Sequence, residues 1–231
     1  MRIIFVRHGE PNYEKDCLTP LGLRQAQACA ERLRGEGIAE VFSSPFGRAR
    51  ETAAATARVL GLPVRILDFM HELHWGSADG SPVLAGGHPW SIADELASQG
   101  WDLTNPAWRE HPFFANNIVT PEVDLVEQGM DQWLLEKGYR REGAFYRCIR
   151  PEDAPLTVSL FSHGGSSAAA IAHILNLPFP YVIALMHFAF TGITVLRLDS
   201  HPGVRFAPVL ELCNDAAHLR GLSDLGPGFL Q

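Results

Sequence analysis

Four short stretches hold the side chains that could do chemistry: Arg7-His8-Gly9-Glu10; Ser43-Ser44-Pro45-Phe46-Gly47-Arg48-Ala49; Glu72 followed by Gly76 and Gly80; and Ser162-His163-Gly164-Gly165. A neutral imidazole can attack phosphorus at physiological pH, because one ring nitrogen can be oriented by a hydrogen bond while the other reacts. His8 is the expected nucleophile. Arg7 and Arg48 supply planar forks of donors that match phosphate oxygens two at a time, which lysine cannot copy. His163, if protonated, adds another donor, and a helix beginning at Gly164-Gly165 adds backbone N–H groups suited to an anion. An alcohol leaving phosphorus needs a proton, and hydrolysis of a phosphohistidine then needs a base. One carboxyl can do both when its pKa is brought towards the working pH, and Glu10 and Glu72 are the candidates.

These residues need a frame that brings them together. Arg2-Ile-Ile-Phe-Val6 is a short β-branched apolar run that stops at Arg7, which predicts a buried strand entering a loop. Thr19-Pro20 reads as an N-cap with Pro at the first helical position, and Leu21, Ala26, Ala28, Ala30 and Leu33 give that helix an apolar face ending near Gly35 or Gly37. Ile38–Phe42 predicts a second strand, Ala49–Leu60 a helix closed by Gly61, and Pro63–Leu67 a third strand. Leu156–Phe161 predicts another strand leading into an Ala-rich helix to about Leu175. Ile193–Leu198 and Val204–Leu210 predict two last strands on either side of a His201-Pro202-Gly203 turn. Alternating strands and helices specify an α/β fold, three layers α/β/α around a mostly parallel central sheet. Each chemical stretch then lies at or just after a strand end, where such sheets place their ligands. The alternation breaks from about Ser81 to Ala154, a stretch with four of the five tryptophans and helices predicted near Trp90–Gln99 and Pro121–Lys137. It reads as an insertion that forms a lid.

R-H-G-E after a first strand, S-S-P-x-x-R-A, E-x-x-x-G-x-x-x-G, and S-H-G-G after a later strand occur in one order. In them the sequence resembles the histidine phosphatase superfamily, which includes the cofactor-dependent phosphoglycerate mutases and many small phosphatases. The resemblance covers about residues 1–80 and 154–220, and Asn214-Asp215 with His218-Leu219 is similar to the family's closing segment. It implies a phosphoglycerate mutase-like fold with an inserted lid, and a phosphate pocket of Arg7, Arg48, His163 and Gly164 around His8. It also implies that Glu72, rather than Glu10, is the acid/base. The scheme calls for no metal and no cofactor. Trp101, Trp108 and Arg140 are candidate substrate contacts within the insertion. After Pro11 the chain reads Asn-Tyr-Glu-Lys-Asp-Cys-Leu-Thr-Pro-Leu-Gly, which departs from the longer Asn-, Trp- and Gly-bearing segment of the mutases and is similar to the short phosphatase-type openings. Hydrolysis of a small phosphate monoester is therefore expected, with mutase activity as the alternative.

Other classes fit less of the sequence. Gly164-Gly165-Ser166-Ser167-Ala168 resembles the G-x-S-x-G elbow of serine hydrolases, with Asp199 and His201, or Asp215 and His218, as partners. That reading leaves Arg7, His8 and Arg48 without a task. A non-catalytic module binding a phospho-ligand has no need of Glu72. His71-Glu72-Leu73-His74 spaces its histidines three apart, where a helical metal motif needs four, so no metal is assigned. Four scattered cysteines and the absence of a signal-peptide pattern suggest a reducing, cytoplasmic setting. The longest apolar stretch, Phe179–Phe190, is interrupted by Pro180 and His187 and too short to cross a bilayer, so no membrane partner is expected. The net charge of −7 argues against nucleic acid as a partner. It is unevenly distributed: residues 81–154 hold 6 Lys/Arg against 12 Asp/Glu, whereas residues 1–67 hold 10 against 7. An acidic, tryptophan-rich lid over a basic core should disfavour a second phosphate and accept an apolar or neutral leaving group.

Overall fold

The computed structural model describes residues 1–222. In chain order the strands are β1 (Arg2–Arg7), β2 (Pro11–Asn12), β3 (Cys17–Leu18), β4 (Ile38–Ser43), β5 (Val64–Ile66), β6 (Tyr139–Glu142), β7 (Phe145–Cys148), β8 (Thr157–Ser162), β9 (Ile193–Arg197), β10 (Arg205–Phe206) and β11 (Val209–Asp215). The helices are α1 (Pro20–Leu33), α2 (Gly47–Leu60), α3 (Pro89–Ser98), α4 (Pro112–Ala115), α5 (Val119–Glu136), α6 (Gly164–Leu175) and α7 (Phe179–Leu185).

Six strands form the central sheet in the order β11-β9-β1-β8-β4-β5. β1, β8, β4 and β5 run parallel, β9 is antiparallel to β1, and β11 is antiparallel to β9. Successive residues of a strand face opposite sides, so β1 feeds two cores. Ile4 and Val6 pack with Cys29, Leu33, Ala53 and Ala57 of α1 and α2. Ile3 and Phe5 pack on the other side with residues of α3, α5, α6 and α7. Burial on both faces is why β1 and β8 read as continuous apolar runs. The result is the mixed α/β fold with a mostly parallel sheet that the alternation specifies.

Residues 81–154 supply part of that second layer rather than a detached cover. Val123, Val126, Met130, Trp133 and Leu134 of α5 belong to the same core cluster as Phe42 of β4 and Leu160 of β8. Trp133 meets Phe42 edge-on at 5.3 Å. Gly129 is what lets α5 approach so closely: a Cβ there would lie 2.3 Å from the Phe69 ring.

One expected strand is divided. Val204–Leu210 splits into β10, which joins β7 and β6 in a separate three-stranded sheet, and β11, which starts at Val209 and runs to Asp215. Pro208 lies between them and cannot donate to a ladder, so the chain changes sheets there.

Candidate active site

The parallel register places the chemical stretches side by side. Arg7 pairs with Ser162 across β1 and β8, and Ser43 pairs with Phe161 across β4 and β8. The C-terminal ends of these strands therefore deliver His8, Ser44 and His163 to one edge of the sheet. His8 N–H donates to the Ser162 carbonyl at 2.9 Å, and the rings of His8 and His163 stand 5.1 Å apart, both buried.

The hydrogen bonding of His8 decides which nitrogen can react. Nδ1 lies 2.7 Å from the Gly9 carbonyl, an acceptor only, so Nδ1 carries the proton and Nε2 holds the free lone pair. Burial, then Arg7 and Arg48, push the His8 pKa down to about 3. The ring is thus neutral throughout the ordinary pH range. Thr191 N–H donates to the Arg7 carbonyl at 3.0 Å and steadies the chain beside His8.

Arg7 donates from one terminal nitrogen to the Phe188 carbonyl at 2.6 Å and lies 4.4 Å above the Phe190 ring. Asn214 holds that loop: its Oδ1 accepts from Ala189 N–H at 2.8 Å and its Nδ2 donates to the His187 carbonyl at 2.8 Å. Arg48 is buried and bonds Asp16 at 2.6 Å through one terminal nitrogen. The other Asp16 oxygen accepts from Gly47 N–H at the start of α2, also at 2.6 Å. The Nε atoms of both arginines are buried without an acceptor among the described residues.

His163 joins this group through Ser44. Ser44 Oγ accepts from Phe46 N–H at 3.2 Å and lies 2.7 Å from His163 Nε2, so the two side chains share a hydrogen bond. His163 Nδ1 is buried with no hydrogen-bond partner among the described residues. Burial first, then His8, Arg48 and Arg7, holds the His163 pKa well below its ordinary value. A ring held neutral in this way offers one N–H rather than two.

Glu72 corrects one expectation. The α6 amides of Gly165 and Ser166 do not await an anion, because both donate to Glu72 Oε1, at 3.1 and 3.3 Å, as does Leu73 N–H at 3.0 Å. The carboxyl caps the start of the helix. Burial raises its pKa above the usual carboxylate range, while Arg7 and these N–H groups pull the other way. Oε2 makes none of these bonds. Glu10 is committed elsewhere, with Oε1 accepting from the Thr19 hydroxyl at 2.8 Å. A Cβ at Gly165 would sit 2.7 Å from Glu72 Oε1. Gly165→Ala should therefore displace the carboxyl and cut kcat about tenfold or more while the chain stays folded, as steady-state kinetics alongside circular dichroism would show.

The two lowered histidine pKa values set a sign for stability. Between about pH 6.5 and 3 the unfolded chain binds protons that folded His8 refuses, so stability falls as pH drops through that window. Thermal unfolding followed from pH 7 to 4 should show a declining Tm, and a smaller decline in His8→Ala.

The insertion's expected contacts lie elsewhere. Trp108 is core, 5.0 Å from Phe114 and 5.7 Å from Phe179. Trp101 follows the far end of α3 and packs on His111 at 5.2 Å. Arg140 is exposed on β6, whose Tyr139 hydroxyl accepts from the Met1 amine at 3.0 Å, at the opposite end of β1 from His8. The tryptophan that reaches the site is Trp90, at the start of α3: a Cβ on Gly164 would lie 3.3 Å from it and 3.9 Å from Arg7 Nε. His88 stacks on Trp90 at 5.1 Å, and Trp75 meets both. Together with Tyr13 and Phe46 beside Arg48, they make the surroundings aromatic. Sequence reasoning missed Asp16, Ser44, Trp90 and the task of Asn214. Ser44 carried a signal, as the second Ser of S-S-P.

The serine-hydrolase geometry is not formed. Ser166 Oγ is buried and donates to the Met70 carbonyl at 3.2 Å. His201 pairs with Asp199 just past Leu198, which bonds Met1 at the other end of the sheet. His218 bonds Thr191 at 2.9 Å.

An imidazole with a free nitrogen, ringed by arginine and histidine donors on the C-terminal edge of a parallel sheet, is the setting for attack on a tetrahedral anion. In this chain, residues 3–112 match the family model of the histidine phosphatase superfamily (branch 1). Among its relatives is a probable phosphoglycerate mutase, GpmB, of Yersinia pestis, 26% identical over 232 residues and 95% of each chain. A mutant phosphoserine phosphatase of Entamoeba histolytica, solved with phosphoserine, has a similar fold at 22% identity and TM-score 0.62, over 94% of this chain and 98% of that one. A mycobacterial glucosyl-3-phosphoglycerate phosphatase, solved with inorganic phosphate, is similar at 25% identity and TM-score 0.59, over the same shares.

Proposed function

We propose that the protein is a phosphatase that hydrolyses a small phosphate monoester in two steps, through a phosphohistidine on His8 and with no metal ion in the reaction. The observation that carries this reading is His8 itself, buried, neutral, pinned through Nδ1 and open at Nε2. Nε2 attacks phosphorus, the N–P bond forms as the P–O bond to the alcohol breaks, and the Glu72 carboxyl gives its proton to the departing oxygen. Glu72, now a carboxylate, then takes a proton from water as the water oxygen attacks phosphorus, and the N–P electron pair returns to Nε2. Three buried nitrogens without a partner among the described residues, Arg7 Nε, Arg48 Nε and His163 Nδ1, suit the equatorial oxygens, where charge accumulates. Unpaired buried donors are costly, which an anionic ligand in this position explains.

The substrate class follows from the surroundings. The side chains beside the arginines and histidines are Tyr13, Phe46, Trp75, His88, Trp90 and Phe190, which suit an apolar or neutral leaving group better than a second phosphate. The name of the curated relatives favours phosphoglycerate mutase as a second reading, but that reaction needs further cations for the substrate carboxylate and second phosphate. A panel of phosphate esters tests both. The expected result is faster release of inorganic phosphate from aryl and alkyl monoesters than from sugar bisphosphates, without interconversion of 2- and 3-phosphoglycerate. Interconversion faster than hydrolysis would overturn it.

A further inference from the structure

We propose that His71, His74 and Glu122 form a site for a divalent transition-metal ion such as Zn²⁺, outside the phosphoryl pocket and using none of its residues. One possible ligand atom from each lies within 4.8 Å of those of the other two. His74 Nδ1 is 3.3 Å from Glu122 Oε1, and the His71 ring lies against the same carboxylate, its Nδ1 3.5 Å from Oε2. Donors sharing a tetrahedral ion at about 2.0–2.2 Å stand roughly 3.3 Å apart, so small side-chain turns complete the set. Two imidazoles and a carboxylate are the donors of a borderline metal rather than of Mg²⁺ or Ca²⁺.

The four-residue spacing that argues against a metal here applies to helices, and these histidines are not on one. His71 ends the short 3-10 turn Asp68–Met70, and His74 follows in irregular chain. The third donor comes from the first turn of α5, 48 residues beyond His74. His71 Nδ1–H donates to the Glu72 carbonyl at 2.9 Å, the kind of backbone support that sets the tautomer of a metal-bound histidine and leaves Nε2 for the ion. Glu122 Oε2 is buried and accepts no hydrogen bond from the described residues, a carboxylate oxygen that lacks a donor there. His74 is exposed, which provides access and freedom to turn. The ring of Phe46 lies between His71, at 6.1 Å, and His163, at 5.3 Å, so the ion would sit one ring outside the phosphoryl pocket. It would tie the chain carrying Glu72 to α5.

Calorimetric titration of the purified full chain with Zn²⁺ tests this, with Mg²⁺ as the hard-cation control and circular dichroism to confirm folding. One Zn²⁺ per chain is expected, with affinity falling at least about tenfold in both His74→Ala and Glu122→Gln and kept in His8→Ala. Mg²⁺ should give no saturable signal. Absence of saturable Zn²⁺ binding, or affinity in both variants unchanged from that of the native chain, would leave only an ion-pair cluster and overturn the proposal. Loss of binding in His8→Ala alone would also overturn it, by placing the ion on the His8–His163 pair.

Discussion

His8→Ala should lower turnover of p-nitrophenyl phosphate by at least about 10³-fold, since removing the nucleophile closes the covalent route and leaves only the arginine pocket to assist water. The loss should fall on kcat, because in the proposed function Arg7 and Arg48 hold the phosphoryl group without help from the imidazole. Binding of inorganic phosphate, measured by calorimetry, should therefore survive the substitution. Near-equal turnover by both proteins would remove His8 from the chemistry. A loss of turnover accompanied by loss of folding would be a structural effect, and the phosphate titration separates the two.

Glu72→Gln carries the second large effect, and it depends on the leaving group. Gln can still accept the Leu73, Gly165 and Ser166 amides through its carbonyl oxygen, so the start of α6 stays capped while the exchangeable proton is lost. An alkyl phosphate, whose alkoxide leaves only when protonated, should lose about 10²–10⁴-fold. p-Nitrophenyl phosphate needs little help in the first step, so its first step should be nearly spared. With the base for water also gone, the phosphoenzyme should accumulate, and stopped-flow traces should show a burst of p-nitrophenolate followed by slow turnover. Equal losses for both substrates and no burst would mean that Glu72 serves only as the cap of α6.

The sheet and the chemical core were legible because local rules and the fold agree. Continuous apolar runs at Arg2–Val6 and Leu156–Phe161 mark doubly covered strands, and the polar stretch after each one is where a parallel sheet must end. What stayed hidden depends on contacts distant in sequence. Asp16 reaches Arg48 across 32 residues, and Ser44 bonds His163 across 119. The helix-start anion site of Gly164-Gly165 was legible as a site, but not that Glu72, 93 residues earlier than Gly165, fills part of it. The tryptophans show the same limit. Composition gathers Trp90, Trp101 and Trp108 into one segment, yet only the course of α3 puts Trp90 against Gly164 and leaves the other two away from the site. His71 and His74 were judged by helical spacing, a rule that loses its force once the segment is irregular chain and Glu122 arrives from α5.

The most direct test of the account is to trap the covalent intermediate. The protein is mixed with radiolabelled phosphate monoester, quenched rapidly in alkali, digested and sequenced by mass spectrometry. Phosphate should be found on the peptide containing His8, stable in alkali and released by acid, and should be missing from His8→Ala. Substrate turnover with no label on His8, or label of equal size in His8→Ala, would contradict it.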